Sequence, residues 1–231
     1  MTLVIPALPP VLLPVAGGGD YPVGRIFCIG RNYADHAREM GGDPAREAPF
    51  FFTKWAQAAV PSGTTIAYPP QTRDYQHEVE LVVALAHSGR DIPKADALSH
   101  VYGYAVGLDM TRRDLQAAAK AAGRPWDAAK NVEEGAPVGP IHPATAVGHP
   151  DRGPIALAVD GAVRQEGDLA DMTWPVPALI AHLSTFYRLE PGDLIFTGTP
   201  AGVAAVEPGA VLTGTIAGLE PLTITVGAAA A

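Results

Sequence analysis

Apolar and polar positions alternate most clearly at residues 77–86, HEVELVVALA, where the alternation passes into an apolar run and predicts a strand. Further strands are predicted at 25–30 (RIFCIG), 101–108 (VYGYAVGL), 194–197, 210–216 and 222–226. Residues 154–160 and 162–165 flank Gly161 as a hairpin. Residues 33–40 predict a short helix stopped by Gly41-Gly42, and 175–187 an apolar helix. Thr111 to Asp114 carry a T-x-x-D capping signature for a helix ending at Gly123, with Leu115, Ala118, Ala119 and Ala122 on one face. Residues 43–76, with five prolines, read as mostly irregular apart from a strand at Phe50–Lys54, and the GAAAA tail reads as frayed. Helices are few and no βαβ rhythm recurs, so the predicted class is mainly β with a few short helices, an α+β roll.

Length and charge narrow this further. The chain of 231 residues suits a single domain, taken as 25–231 behind an extended, proline-stiffened arm at 1–24. Gly and Pro together make up about a fifth of the chain, which fits many short strands and turns. A net charge of −8 argues against a nucleic-acid partner. Cys28 is the sole cysteine, which excludes an intrachain disulfide and a thiolate zinc cluster. The apolar start lacks a basic n-region and is broken by Pro6, Pro9, Pro10 and Pro14. No stretch is long enough for a membrane span, so a cytoplasmic protein is expected.

Within this frame, Glu78 and Glu80 lie two apart on a strand and therefore share a face. Val79, Leu81, Val83 and Leu85 take the opposite, core face, while Val82 and Ala84 continue the glutamate face and suggest that it too is covered. Paired carboxylates there call for a hard divalent cation, Mg²⁺, Mn²⁺ or Ca²⁺, unless both point to solvent from an edge. Asp109, at the end of the 101–108 strand, is either a third ligand or a turn residue. His36 and Glu39 stand at i and i+3, as a general-base pair or an exposed ion pair. Gly30, Gly41 and Gly42 would let the segment 31–42 move as a lid. Lys130 by itself reads as a surface lysine. DLIFTGTPAGV (193–203) offers N–H groups and the Thr197 and Thr199 hydroxyls to an anionic oxygen.

Taken together, GRNYADHAREMG (30–41), YQHEVELVVAL (75–85), GYAVGLDMTRRDLQ (103–116), GRPWDAAK (123–130) and GDLIFTGTPAGV (192–203) are specific. In this order they make the chain resemble the fumarylacetoacetate hydrolase family, in particular its short acylpyruvate-cleaving members. The resemblance implies that family's mixed β-roll, usually a homodimer, and Mg²⁺ or Mn²⁺ held by Glu78, Glu80 and Asp109. It makes His36 and Glu39 the water-activating pair and places Lys130, Gln116 and Thr199 on substrate oxygens. The expected reaction is hydrolysis of a 2,4-dioxo acid, first of all fumarylpyruvate from gentisate-type aromatic catabolism. Arg31 and Arg112, with Lys54, Arg73 and Arg113 behind them, are the cations expected for a second substrate carboxylate. Trp55 and the NVEEG run after Lys130 depart from the commoner pattern and bear on substrate choice. The alternatives are an acylpyruvate hydrolase or oxaloacetate decarboxylase, an isomerase or hydratase of homoprotocatechuate breakdown, and a cation-binding module without turnover.

Overall fold

The Val79–Leu85 strand is buried along its whole length and pairs antiparallel with Val101–Leu108. A computed structural model, which describes residues 3–39, 41 and 48–229, sets this pair at the centre of an eight-stranded sheet. The main order is Phe50–Lys54, Ile26–Gly30, Leu194–Phe196, Val79–Leu85, Val101–Leu108, Ala136–Val138 and Ala59–Pro61, and His142–Pro143 also pairs with Val101–Leu108. A five-stranded sheet runs Ala162–Asp168, Pro154–Val159, Val211–Ile216, Leu222–Ala229 and Thr65–Tyr68. Asp160 and Gly161 both take positive φ (51° and 78°) at its hairpin, the condition for a two-residue turn that matches strand twist.

Strand alternation divides the apolar residues between two clusters. Val79, Leu81, Val83 and Leu85 join Tyr104, Val106 and Leu108 against the second sheet and the Val176–Phe186 helix. Val82 and Ala84, on the glutamate face, pack with Ala105, Ile26, Cys28, Phe196, Leu13 and Tyr21. Leu13 and Tyr21 come from an antiparallel ribbon, Leu12–Pro14 with Asp20–Pro22, whose Tyr21 hydroxyl donates to the Leu85 carbonyl. The glutamate face is thus dry over half its length and acidic over the other half.

Most predicted elements are present with ends shifted by a residue or two, and four expectations are corrected. The stretch 48–76 is not irregular: it holds Phe50–Lys54, Ala59–Pro61, Thr65–Tyr68 and Tyr75–Gln76, short strands that proline-rich turns separate. The tail is paired up to Ala229, opposite Tyr68. Thr111 does not cap a helix. It pairs with Gln76 in a short ribbon, and its Oγ1 donates to the Asp109 carbonyl and accepts from Lys130 Nζ. The Arg113–Ala121 helix buries Arg113 and Gln116, while Ala118 and Ala122 are exposed, because its inner face meets carboxylates and not the apolar core. No helix among the described residues is long and apolar enough to cross a membrane.

Because Leu13 is fully buried, Leu13→Ala should lower stability by about 2–4 kcal/mol in denaturant unfolding. A cost under about 0.5 kcal/mol would show that the N-terminal ribbon is not part of the core.

Candidate active site

The antiparallel register sets Val79 opposite Leu108 and Glu80 opposite Gly107. One step further brings Glu78 beside Asp109, whose N–H donates to the Glu78 carbonyl at 2.9 Å. Opposed residues share a face, so three carboxylates meet at one end of the glutamate face. One oxygen from each lies within 4.8 Å of the others, and all three residues are at most 5% exposed.

Three cations are buried with them. Lys130 Nζ donates to Glu78 Oε2 (2.8 Å), Asp109 Oδ2 (2.9 Å) and Thr111 Oγ1 (2.7 Å). Arg113 Nη2 pairs with Glu78 Oε1, and its Nε and Nη1 hold Gln76 and Gln116. Lys54 Nζ stands 2.9 Å from Asp109 Oδ1, but its three hydrogen bonds go to the carbonyls of Met110, Lys130 and Gly135. Oδ1 therefore accepts no hydrogen bond. Burial opposes the Glu78 carboxylate, yet Lys130 and Arg113 outweigh it and hold Glu78 below the usual carboxylate range. Burial also opposes the Lys130 ammonium, and Asp109 and Glu78 more than offset it and hold its pKa up. Glu80 has no such partner. Burial, then Asp109 and Glu78, push it well above the usual range, against one hydrogen bond from the Gly198 N–H at 2.7 Å. Glu80 is thus a buried carboxyl with no ion-pair partner among the described residues, within reach of one oxygen from Glu78 and one from Asp109, and this set of hard oxygen donors fits Mg²⁺ or Mn²⁺.

A cavity with an empty volume of about 450 Å³ opens over this cluster. Glu78, Glu80, Lys130, His36, Gln116 and Thr199 line it, and Asp109 does not line it but accepts from Lys130. The Ala34–Glu39 helix presents His36, 5% exposed, and Glu39 Oε2 lies 3.1 Å from its Nδ1. Asn32 fixes the helix entry: its side chain donates to the Trp174 and Thr197 carbonyls and accepts from the Trp174 N–H. Gly198, at φ +96°, brings the chain so close to Asn32 that a Cβ would lie 2.7 Å from the Asn32 Cβ. Phe50, Phe52 and Trp126 form an aromatic wall, with Lys130 Nζ 4.9 Å from the Phe52 ring centre.

The cavity thus gathers most of the residues singled out from sequence. Arg31 lines it, at positive φ (55°) and over the Phe50 ring. Arg112 does not: its Nη1 donates to the Ala128 carbonyl, and Arg113, one residue on and turned inward with Gln116, takes the lining position. Arg73 lies in a separate surface cleft with Asp114. Lys54 is an internal strut. Of the segment 31–42, Met40 and Gly42 lie outside the described residues. Sequence reasoning passed over Asn32 and Gln165, whose buried amides carry no local pattern.

A model of the fumarylacetoacetate (FAA) hydrolase C-terminal family matches residues 25–227. The chain is 46% identical to a fumarylpyruvate hydrolase of Ralstonia sp. over 81% of this chain and 97% of that protein. It is 40% identical to the mitochondrial oxaloacetate tautomerase FAHD1 of Homo sapiens, over 87% and 90%. Its fold is similar to the crystal structure of fumarylpyruvate hydrolase from Pseudomonas aeruginosa in complex with Mn²⁺ and pyruvate. The TM-score is 0.96 with 50% identity, covering 98% of this chain and all of that one.

The raised pKa of Glu80 has a defined sign. A carboxyl with a higher pKa folded than unfolded stabilises the fold below the ordinary carboxylate range and loses that contribution as pH rises through its folded value. The metal-free protein should therefore gain in melting temperature from Glu80→Gln, by a few degrees and increasingly from pH 5 to 8, while losing its stabilisation by Mg²⁺. A variant that melts below the native protein across that range, or that keeps its Mg²⁺ shift, would contradict the assignment.

Proposed function

The chain belongs to the fumarylacetoacetate hydrolase family, and on that premise we propose that it is a metal-dependent hydrolase of 2,4-dioxo acids, R–CO–CH₂–CO–COO⁻. Fumarylpyruvate is the first substrate, with fumarate and pyruvate as products. The observation that carries this is one cavity lined by Glu78 and Glu80 of the carboxylate cluster and by His36, whose Nδ1 faces Glu39. The names of the Ralstonia and Pseudomonas proteins support it. We assign the chemistry to a single catalytic domain, 25–231, behind the 1–24 arm. We place it in the cytoplasm of a gentisate-type catabolic cell, with Mg²⁺ as metal and a homodimer as assembly. The exposed apolar side chains of Leu3, Val4, Ile5 and Leu8 support the dimer.

The carboxylate against Nδ1 holds that nitrogen protonated, which leaves Nε2 of His36 as the base. His36 Nε2 takes a proton from water, and the water oxygen attacks the C4 carbonyl. The C3–C4 bond breaks, its electrons pass to the C2 oxygen as the pyruvate enolate, and C3 takes the proton held on His36, which restores the base, while the acid R–COOH ionises to solvent. Mg²⁺ or Mn²⁺ bound by Glu78, Glu80 and Asp109 supplies Lewis-acid stabilisation of that charge. Lys130 adds a fixed positive charge beside the same oxygens. The three carboxylates and three cations sum to zero, so a divalent ion leaves the site at +2, matched to a substrate anion. The aromatic wall receives a flat, conjugated R group, and Arg31 meets its distal carboxylate.

The test follows loss of diketo-acid absorbance over fumarylpyruvate, acetylpyruvate and oxaloacetate. Fumarylpyruvate should turn over fastest, chelator should abolish activity, and Mg²⁺ or Mn²⁺ should restore it. His36→Ala should cut hydrolysis by about 10²–10⁴ and any oxaloacetate decarboxylation less, since no water is activated there. Full turnover in verified metal-free protein would sink the metal assignment. Faster turnover of oxaloacetate than of any acylpyruvate would favour the second reading, which the human relative supports.

The lid reading has its own test. In amide exchange, oxalate, a two-oxygen mimic of the enolate, should slow residues 31–42 more than 79–85. Equal protection of both segments before oxalate is added would contradict a moving lid.

A further inference from the structure

The Thr199 hydroxyl lines the cavity, 2% exposed, and its polarity is fixed from behind by Gln165, which is 1% exposed and lies on the Ala162–Asp168 strand. Gln165 Oε1 accepts from the Val79 N–H at 3.1 Å, and Gln165 Nε2 donates to the Pro200 carbonyl at 2.9 Å. A backbone N–H can only donate and a carbonyl can only accept, so these two bonds fix the orientation of the amide. The second Nε2 hydrogen then goes to Thr199 Oγ1 at 2.8 Å. Thr199 is the acceptor in that bond, and among the described residues no protein acceptor takes its own proton. His77 Nδ1 lies 2.9 Å from the same Gln165 oxygen, which makes it a second donor there and reinforces the orientation.

We propose that Gln165 is a positioning residue that makes Thr199 a hydrogen-bond donor into the cavity, aimed at an anionic oxygen of the bound ligand. This rests on the proposed function for the identity of that ligand, not for the polarity of the hydroxyl. Gln165 also ties three parts of the site together. Val79 lies between two candidate metal ligands, Pro200 belongs to the loop whose Gly198 N–H holds Glu80, and Thr199 faces the ligand. Removing the amide hydrogens while keeping the acceptor should reverse the Thr199 bond. In Gln165→Glu one oxygen still accepts from Val79, and the other is either ionised or gives its single proton to the Pro200 carbonyl, so in both forms it accepts the Thr199 proton and turns it away from the cavity.

The test is a double-mutant cycle over positions 165 and 199 on the Mg²⁺-loaded protein. Its readouts are kcat/KM for acetylpyruvate and Kd for oxalate by calorimetry. Thr199→Val should lower kcat/KM for acetylpyruvate and the affinity for oxalate each by about 10- to 100-fold, the scale of one hydrogen bond to a charged oxygen. Thr199→Ser should restore them. Gln165→Glu should match the loss of Thr199→Val, and the double variant should lose no more than either, with Mg²⁺ affinity held within about threefold. Should Gln165→Glu not fold, Gln165→Leu serves: it frees the hydroxyl to rotate, so Thr199→Val should cost less there than in the native background. Losses that multiply independently, or a loss explained by weakened Mg²⁺ binding, would overturn the proposal. If no diketo acid is turned over yet oxalate binding shows the coupling, the functional reading fails and the role of Gln165 stands. If turnover is present without coupling, the reverse holds.

Discussion

Burial of three carboxylates at one end of two paired strands is the constraint on which the rest of the site depends. Like charges so close in a dry setting destabilise one another unless each finds a counter-charge. Two of them find it in Lys130, Arg113 and Lys54, and Glu80 does not. Each cation brings its own segment to the site. Lys54 ends the Phe50–Lys54 strand and gathers the carbonyls of Met110, Lys130 and Gly135. Arg113 opens a helix, and Lys130 closes the Asp127–Lys130 turn of helix. Charge neutralisation therefore brings together segments that the hydrophobic pattern leaves unplaced.

The same strand pair also separates stability from chemistry. Its Val79–Leu81–Val83–Leu85 face is anchored in the larger core. The other face is sealed by Val82, Ala84 and the N-terminal ribbon up to the point where Glu80 begins the polar half. The site thus stands on a rigid sheet, while His36 reaches it from a six-residue helix held by the Asn32 hydrogen bonds. The proposed metal ligands and the proposed base therefore sit on separate elements, the carboxylates on the sheet and His36 on a helix whose entry Asn32 fixes.

Legibility in the sequence followed the range of the interactions. The period of two at 78–85 gave both faces of the central strand, because side-chain direction there is a local property. His36 with Glu39 was readable for the same reason. The position of Asp109 followed only once strand register was known. Arg112 and Arg113 are adjacent and carry the same charge, so no local pattern ranks them; only the fold shows Arg113 turned to Glu78 and Arg112 to the Ala128 carbonyl. Gln165 and Asn32 were invisible: their partners lie 34 to 165 residues away, and an isolated amide has no pattern. The resemblance to a known family supplied what local pattern lacked for Lys130 and Gln116.

The central claim is that Glu78, Glu80 and Asp109 form the cation site. Anomalous diffraction from crystals grown with Mn²⁺ tests it most directly. The account predicts one strong peak at coordination distance, about 2.0–2.3 Å, from a carboxylate oxygen of each residue. That peak should be absent from crystals of Glu80→Gln. A Mn²⁺ peak elsewhere, or none in a crystal of protein shown to be active and metal-dependent, would contradict it.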